Sequence, residues 1–348
     1  MNEIVTAALA HLSRGEDLTD ADLEAAFAEI LEGRASDVQT AGFVVALRTK
    51  GESTNELATI VRTMHEYSTK VDVADGAIDT CGTGGDRSRT VNVSTMAALV
   101  AAGAGARVVK HGNRAASSNC GSADVLEELG VAIELGPQGV ARCVEEAGIG
   151  FCLAPRYHPA LRHLGPARKE LGVATTFNFL GPLANPARVR RQAVGVSDGR
   201  MAERMLGTLR MLGTQHALVF HGDDGLDELT TTTTSTVHEL RDGETRTFTL
   251  YPREFDIAAP VLEDLCGGGV ADNAARVHAV MQGETGPVQD IVLLNAAAAL
   301  VVAGIAADFG VGIDTAREAI DDGAAAKALD ALVRISREEH ASEVAGEG

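Results

Sequence analysis

Tryptophan is absent from this chain, and only 3% of its 348 residues are aromatic, so large rings cannot carry the core. With 45% hydrophobic residues, rich in alanine, the interior must instead rest on close packing of small aliphatic side chains. Unbroken apolar runs are also missing. The longest candidate, Ile291 to Ala307, is interrupted by Asn295 and falls short of the roughly 18 apolar residues that a membrane span requires, so it reads as a buried helix. The five cysteines are odd in number, widely spaced and form no CxxC pair, which argues against both a disulfide framework and a zinc site. Cys81, with no histidine beside it in sequence, reads as a small buried filler. Positive charge is scarce: 49 acids against 30 bases give a net charge of −19, which argues against nucleic acid or an anionic membrane as a partner. The first residues include Glu3, Glu16 and Asp17 rather than a basic stretch leading into an apolar one, so a cytoplasmic location is expected.

What is present divides into two patterns. Up to about residue 72 there is no strand-like alternation, but there are helix starts. Thr19-Asp20-Ala21-Asp22 precedes the apolar positions Leu23, Phe27, Ile30 and Leu31, and Ser53-Thr54-Asn55-Glu56 precedes Leu57, Ile60, Val61 and Met64. From residue 73 to the end, short apolar runs alternate with helical stretches. Strands are expected at Ile78 to Thr80, Arg107 to Val109, Val131 to Glu134, Gly150 to Leu153, Gln192 to Val196 and Ala217 to Phe220, with helices such as Ser94 to Ala104, Ser122 to Leu129, Pro137 to Ala147 and Arg200 to Leu212 between them. A hairpin is expected from Thr230 to Thr236 and Thr245 to Leu250 around Asp242-Gly243, and helix again from Pro287 to Ile335. The expected fold is α/β: a small all-helical N-terminal domain and a larger α/β domain with a mostly parallel central sheet flanked by helices.

Chemistry-bearing residues concentrate between Asp79 and Gly130. Gly82-Thr83-Gly84-Gly85-Asp86 follows the first expected strand, where α/β sheets place ligands, and backbone N–H groups of such a turn can converge on phosphate oxygens. It is neither GxGxxG nor a GK[ST] loop, which disfavours dinucleotides and ATP hydrolysis. Ser94 and Thr95, after Asn92, stand at a helix start, where a hydroxyl can cap the helix, ligate a metal or donate to a phosphate. Lys110-His111-Gly112-Asn113-Arg114 follows a strand and supplies positive charge, with Ser117 and Ser118 as further donors; Arg156, Arg162, Arg168 and Lys169 could add to a basic pocket. Asp227-Glu228, after the strand ending near Phe220, suits Mg²⁺, although in so acidic a chain a solvated pair is the plainer reading. Arg168 could clamp a carboxylate. The threonine run Thr230 to Thr234 is assigned no function.

Taken in order, the glycine loop, Asn92-Val93-Ser94-Thr95, Lys110 to Ser118, Gly121-Ser122-Ala123-Asp124, His158-Pro159-Ala160, Arg168 to Gly172, Phe177 to Pro186 and Gly225-Leu226-Asp227-Glu228 resemble the anthranilate phosphoribosyltransferase family. That resemblance implies a two-substrate enzyme that joins anthranilate to phosphoribosyl pyrophosphate with Mg²⁺ as cofactor. It implies that Gly82, Gly85, Asp86, Thr90, Asn92, Val93, Ser94, Thr95, Lys110, His111, Gly112, Asn113, Arg114, Ala115, Ala116, Ser117, Ser118 and Ser122 line the phosphoribosyl pyrophosphate site. Lys110 and His111 would give electrostatic support, and no dedicated nucleophile is implied. Ser94, Asp227 and Glu228 would hold the metal, and Gly82, Asn113, His158, Arg168 and Pro182 would meet anthranilate. The helical domain would recruit a segment near 165–190, and the protein would be a homodimer.

Two other readings share the fold. A pyrimidine nucleoside phosphorylase would show Lys-x-Ser-Gly-Arg where this chain has Lys-His-Gly-Asn-Arg, and a non-catalytic nucleic-acid binder would be basic.

Overall fold

The computed structural model describes residues 1–115 and 119–346. Four helices come first: α1 (Glu3–Leu12), α2 (Asp20–Leu31), α3 (Asp37–Lys50) and α4 (Thr54–Glu66). Their starts are set by side-chain caps, which satisfy amides that have no partner inside a helix. Thr19 accepts from the Asp22 N–H, and Ser36 with Gln39 and Ser53 with Glu56 form reciprocal capping boxes. The apolar faces of these helices, with Phe27, Phe43, Leu47, Leu57 and Ile60 fully buried, share one core with Leu164, Phe177, Phe179, Leu180 and Leu183 from much later in the chain.

The strands that follow are β1 (Asp79–Gly82), β2 (Val108–Gly112), β3 (Ile149–Leu153), β4 (Arg191–Gly195), β5 (His216–Gly222), β6 (Ser235–Arg241) and β7 (Glu244–Leu250). Between and after them lie α5 (Val93–Gly103), α6 (Ser122–Glu128), α7 (Pro137–Ala147), α8 (Ala154–Tyr157), α9 (Gly165–Leu171), α10 (Phe177–Leu180), α11 (Ala202–Met211), α12 (Val270–Met281), α13 (Pro287–Ala303), α14 (Phe309–Asp321) and α15 (Ala324–Gly346). One sheet runs β1-β4-β5-β6-β7, parallel as far as β5 and antiparallel beyond it; β2 and β3 form a parallel pair. A single bridge, Ile78 to Val108, joins the two pieces, so β1 and β2 start together and then separate. The fold is therefore α/β with a mixed, largely parallel centre.

The shortage of aromatics is met by close helix approach. A Cβ on Gly103 of α5 would lie 2.5 Å from the Ala325 nitrogen of α15, and α13, which packs on α5, is buried from Ile291 to Val302. No helix among the described residues is long and apolar enough to cross a membrane.

Three local expectations need correction. Val131 to Glu134 is no strand: Val131, Ile133 and Leu135 do alternate inward, but they pack beneath α15, where Ala132 N–H donates to Ser336 Oγ at 3.0 Å, and no strand pairs with them. Thr230 to Thr234 forms a loop, and β6 begins only at Ser235, because Thr230 and Thr232 donate their hydroxyls to Asp224 and side-chain bonding of this kind competes with a strand ladder. Helix α12 lies in a stretch to which no element had been assigned; its N-terminal Gly269 N–H is capped by Asp272 at 3.0 Å. The hairpin itself turns at Asp242-Gly243, both with positive φ (51° and 89°), as a tight two-residue turn demands.

Candidate active site

The glycine loop crosses the carboxyl end of β1 directly above Asp227. A Cβ on Gly82 would sit 2.2 Å from Asp227 Oδ2, and one on Gly195 would sit 1.7 Å from the Asp227 carbonyl oxygen, so neither position admits a side chain without moving the acid. Gly84 and Gly85 take positive φ (72° and 85°), which turns the Gly84 N–H onto Asp227 Oδ2 at 2.6 Å. Ser197 secures the loop from β4's side: its N–H donates to Thr83 Oγ1 at 3.0 Å and its hydroxyl to the Gly84 carbonyl at 2.9 Å. Asp86 accepts from the Ser88 hydroxyl at 2.6 Å, and the Ser88 hydroxyl in turn lies 3.3 Å from that of Thr90.

Asp227 and Glu228 are both buried, and their environments oppose ionisation. Desolvation, with the nearby charge of Asp86, pushes the Asp227 carboxyl up to about 7; desolvation and the charge of Asp227 raise Glu228 well above the usual carboxylate range. Glu228 Oε1 accepts from the Ser94 N–H at 3.1 Å. Ser94 and Thr95 are not caps: α5 starts at Val93, which is buried, with Asn92 at the cap position, and the two hydroxyls lie in the first turn. Asn92 Nδ2 donates to the Cys120 carbonyl at 3.1 Å, while Asn92 Oδ1 and Thr95 Oγ1 are buried without partners among the described residues.

Lys110 is 1% exposed, and its ammonium donates to the Thr80 carbonyl at 2.7 Å and to Ser94 Oγ at 3.2 Å. The cluster following β2 contributes less charge than its composition suggested. Burial, then the neighbouring His158, drives His111 down to about 3, so it is neutral, and Nδ1–H donates to the Gly181 carbonyl at 3.1 Å, leaving Nε2 buried with no partner among the described residues. Arg114 is ion-paired at the surface with Glu127 and Asp124. Asn113 receives Ser122 Oγ on its carbonyl oxygen at 3.3 Å, and Gly112 leaves room for that same serine, whose Oγ a Cβ would meet at 2.3 Å. The Ala115 N–H donates to Asp124 at 2.8 Å. Ala116, Ser117 and Ser118 lie outside the described residues. Arg156 pairs with Glu343 of α15.

His158 is buried 5.2 Å from His111, ring centre to ring centre, is depressed to about 4 by desolvation, and donates to the Ala184 carbonyl at 2.9 Å. These two histidines dock the loop that carries Pro182, itself buried. Arg168, on α9, stacks over Phe177 with 5.9 Å to the ring centre and reaches Asn178 Oδ1 at 3.5 Å. Among the described residues no carboxylate pairs with it, and desolvation alone lowers its pKa.

The chain matches the glycosyl transferase family helical bundle domain over residues 6–68 and the glycosyl transferase family a/b domain over residues 74–326. It is 49% identical to the anthranilate phosphoribosyltransferase of Salinispora arenicola over 337 residues, covering 94% of this chain and 95% of that protein. It is 51% identical to that of an Arthrobacter species over 332 residues, with 94% of each covered. The chain belongs to the anthranilate phosphoribosyltransferase family. Among solved structures, the Thermus thermophilus anthranilate phosphoribosyltransferase superposes with a TM-score of 0.90 at 40% identity, covering 95% of this chain and 99% of that one. The Saccharomyces cerevisiae anthranilate phosphoribosyltransferase in complex with PRPP and Mg superposes with a TM-score of 0.89 at 26% identity, covering 97% and 99%.

Within this anthranilate phosphoribosyltransferase fold, several supporting residues escaped the sequence reading. Asp79 is buried and raised to about 6 by desolvation; it accepts from the His111 N–H at 3.3 Å and from Asn185 Nδ2 at 2.8 Å, and Asn185 also donates to the Val109 carbonyl at 2.8 Å. Asn185 thereby ties the Pro182 loop to both β1 and β2. A buried acid beside a glycine loop carries no sequence signal of its own, but Asn185 sits in the Pro- and Gly-rich stretch already singled out. Cys81 is buried with its thiol raised well above its ordinary range by desolvation, as a filler would be.

Proposed function

We infer that this protein transfers the 5-phosphoribosyl group from phosphoribosyl pyrophosphate to the amine of anthranilate, releasing pyrophosphate, a step of tryptophan biosynthesis. The observation that carries the reading is the convergence of Asp227, Glu228, Gly84 N–H, Ser94 and Lys110 at the carboxyl ends of β1 and β2.

Mg²⁺ fits this donor set: two adjacent buried carboxyl groups, with Ser94 bonded to Glu228 through its N–H, stand where a divalent cation would favour their ionised forms. Among the described residues no group of three or more His, Cys, Asp or Glu side chains is placed to hold a metal unaided, in keeping with an ion that takes its remaining ligands from the substrate. Ser94, Asp227 and Glu228 would hold it, and when bound it neutralises charge on the departing pyrophosphate.

The chain's own groups do the rest. The loop from Gly82 to Gly85, with Thr90 and Asn92, receives phosphoryl and ribosyl oxygens, Asp86 accepts from ribosyl hydroxyls, and Asn92 Oδ1 and Thr95 Oγ1, without partners among the described residues, add bonding capacity. Lys110, held against Thr80, supplies fixed positive charge toward the leaving group. The C1–oxygen bond breaks with its electron pair leaving on pyrophosphate, and the neutral amine nitrogen forms the new bond to C1 as it gives up a proton. Arg168, unpaired and half-buried, takes the anthranilate carboxylate, with Gly82, Asn113, His158 and Pro182 shaping the surroundings. Residues 1–72 together with a segment near 165–190 would move on the remainder as a hinge to bring the substrates together, and the working form would be a cytoplasmic homodimer. Mixing protein, Mg²⁺, phosphoribosyl pyrophosphate and anthranilate tests the assignment: anthranilate fluorescence should fall with time, and constant fluorescence across several buffers would refute it.

A further inference from the structure

Helix α13 is apolar and buried on all sides from Ile291 to Val302, with one polar interruption, Asn295, which is 2% exposed. Its amide makes a two-way pair with one residue of the acidic loop: Leu229 N–H donates to Asn295 Oδ1 at 3.0 Å, and Asn295 Nδ2 donates to the Leu229 carbonyl at 2.9 Å. The second Nδ2 proton goes to the Ile291 carbonyl at 2.9 Å. The side chain therefore imitates a peptide group and binds the loop as a neighbouring strand would.

Leu229 directly follows Asp227-Glu228. Residues 227–229 belong to neither strand nor helix, so no ladder or helical hydrogen bonding of their own fixes the two adjacent carboxyl groups. The loop is held from two sides. Gly82 and Gly195 allow Asp227 to lie against β1 and β4, and Asn295 fastens the next turn of chain from the helix behind.

We propose that Asn295 is a positioning residue that holds Asp227 and Glu228 in register for the metal–pyrophosphate complex. The proposal rests on the metal role assigned to that pair above. It gives the polar residue in an otherwise apolar helix a function: an apolar side chain would suit the core better, but would leave the Leu229 N–H and carbonyl buried and unpaired.

Asn295→Leu, of similar volume, tests this alongside Asp227→Asn, with folding followed by circular dichroism and thermal melting. Binding of Mg²⁺-loaded phosphoribosyl pyrophosphate is read by calorimetry, and the concentration of Mg²⁺ needed for half-maximal turnover by assay. Asn295→Leu should weaken calorimetric binding and raise the Mg²⁺ requirement by about tenfold, while the KM for anthranilate stays within twofold, since α13 packs chiefly on α5, α14, β4 and β5, none of which carries a residue assigned to the acceptor. A lowered melting temperature with unchanged donor binding and Mg²⁺ requirement would make Asn295 purely structural and overturn the proposal. If Asp227→Asn also leaves both readouts unchanged, the metal reading itself fails and the positioning role goes with it; a response to Asp227→Asn alone isolates the failure to Asn295. Should the leucine variant not fold, Asn295→Ala, which admits water to the vacated space, is read in the same way.

Discussion

The two substrate sites are built on opposite plans. On the donor side, ionisable groups are buried and braced: Lys110 by Thr80 and Ser94, Asp227 by Gly84, Glu228 by Ser94, and Asp79 by His111 and Asn185. On the acceptor side, Arg168 sits on a seven-residue helix with an aromatic face and one long hydrogen bond for company. Bracing fixes these groups in place in a dry setting before substrate arrives, so little reorganisation remains for the reaction. An unpaired guanidinium makes no such commitment and is satisfied only when a carboxylate enters. Changes on the donor side should therefore alter turnover, and changes on the acceptor side should alter substrate affinity.

The sharpest test is Glu228→Gln, which removes an ionisable metal-ligand oxygen from the braced pair. It should lower kcat by about 10²- to 10³-fold with the KM for anthranilate little changed, in steady-state assays at saturating Mg²⁺. An equal effect on both substrates would erase the distinction between the sites. Next comes Gly195→Ala, whose added carbon would meet the Asp227 carbonyl oxygen at 1.7 Å. Forced overpacking of this kind costs about 1–3 kcal/mol of stability in chemical denaturation, and turnover should fall by at least tenfold as Asp227 shifts. Arg168→Ala should raise the KM for anthranilate about 10- to 100-fold and leave kcat near its starting value, in line with the worth of one charge-assisted bond. A drop confined to kcat would move Arg168 to the donor side of the comparison.

A smaller effect concerns the histidines that dock the Pro182 loop between the two sites. His158 is depressed to about 4 in the fold, below its ordinary 6.5, so the unfolded chain binds more protons through that interval. Its contribution is thus fully present above pH 6.5 and is lost as pH falls toward 4, by at most about 1.4 kcal/mol per pH unit. The buried Asp79, raised to about 6, works in the opposite sense, destabilising the fold as pH rises from about 4 to 6. The clean measurement is therefore a difference: His158→Asn should flatten the pH dependence of urea unfolding between pH 6.5 and 4 by up to one proton's slope, and an unchanged slope would show that His158 is not buried as a neutral ring. Smallest of all, Ser53→Ala should cost about 1 kcal/mol of stability through the lost cap of α4, with both substrate KM values unchanged.

The helical N-terminal unit was readable because its information is local. Ser53 and Glu56 are three residues apart and cap one turn, and Leu57, Ile60, Val61 and Met64 repeat at helical spacing. The glycine loop and Lys110 were readable for a similar reason, since strand, turn and helix start follow one another. What escaped depended on partners distant in sequence. Asn185 meets Asp79, 106 residues away, and Asn295 meets Leu229 across 66 residues. Composition misled in two places. His111 and Arg114 looked like positive charge for the site, yet burial makes one neutral and Glu127 claims the other. The threonines after Leu229 looked like a strand, yet Asp224 draws their hydroxyls into a loop.

The single bridge between Ile78 and Val108 has a consequence for how such a pocket can be made at all. Two parallel strands that stop pairing after one contact leave a wedge of unclaimed carbonyls, and a buried carbonyl needs a donor. Here the donor for Thr80 is the tip of Lys110, which spans the wedge as a crossbeam. The opening in the sheet and the cation that serves it are thus one architectural element, and replacing that lysine would do more than remove a charge: it would leave the mouth of the wedge without its prop.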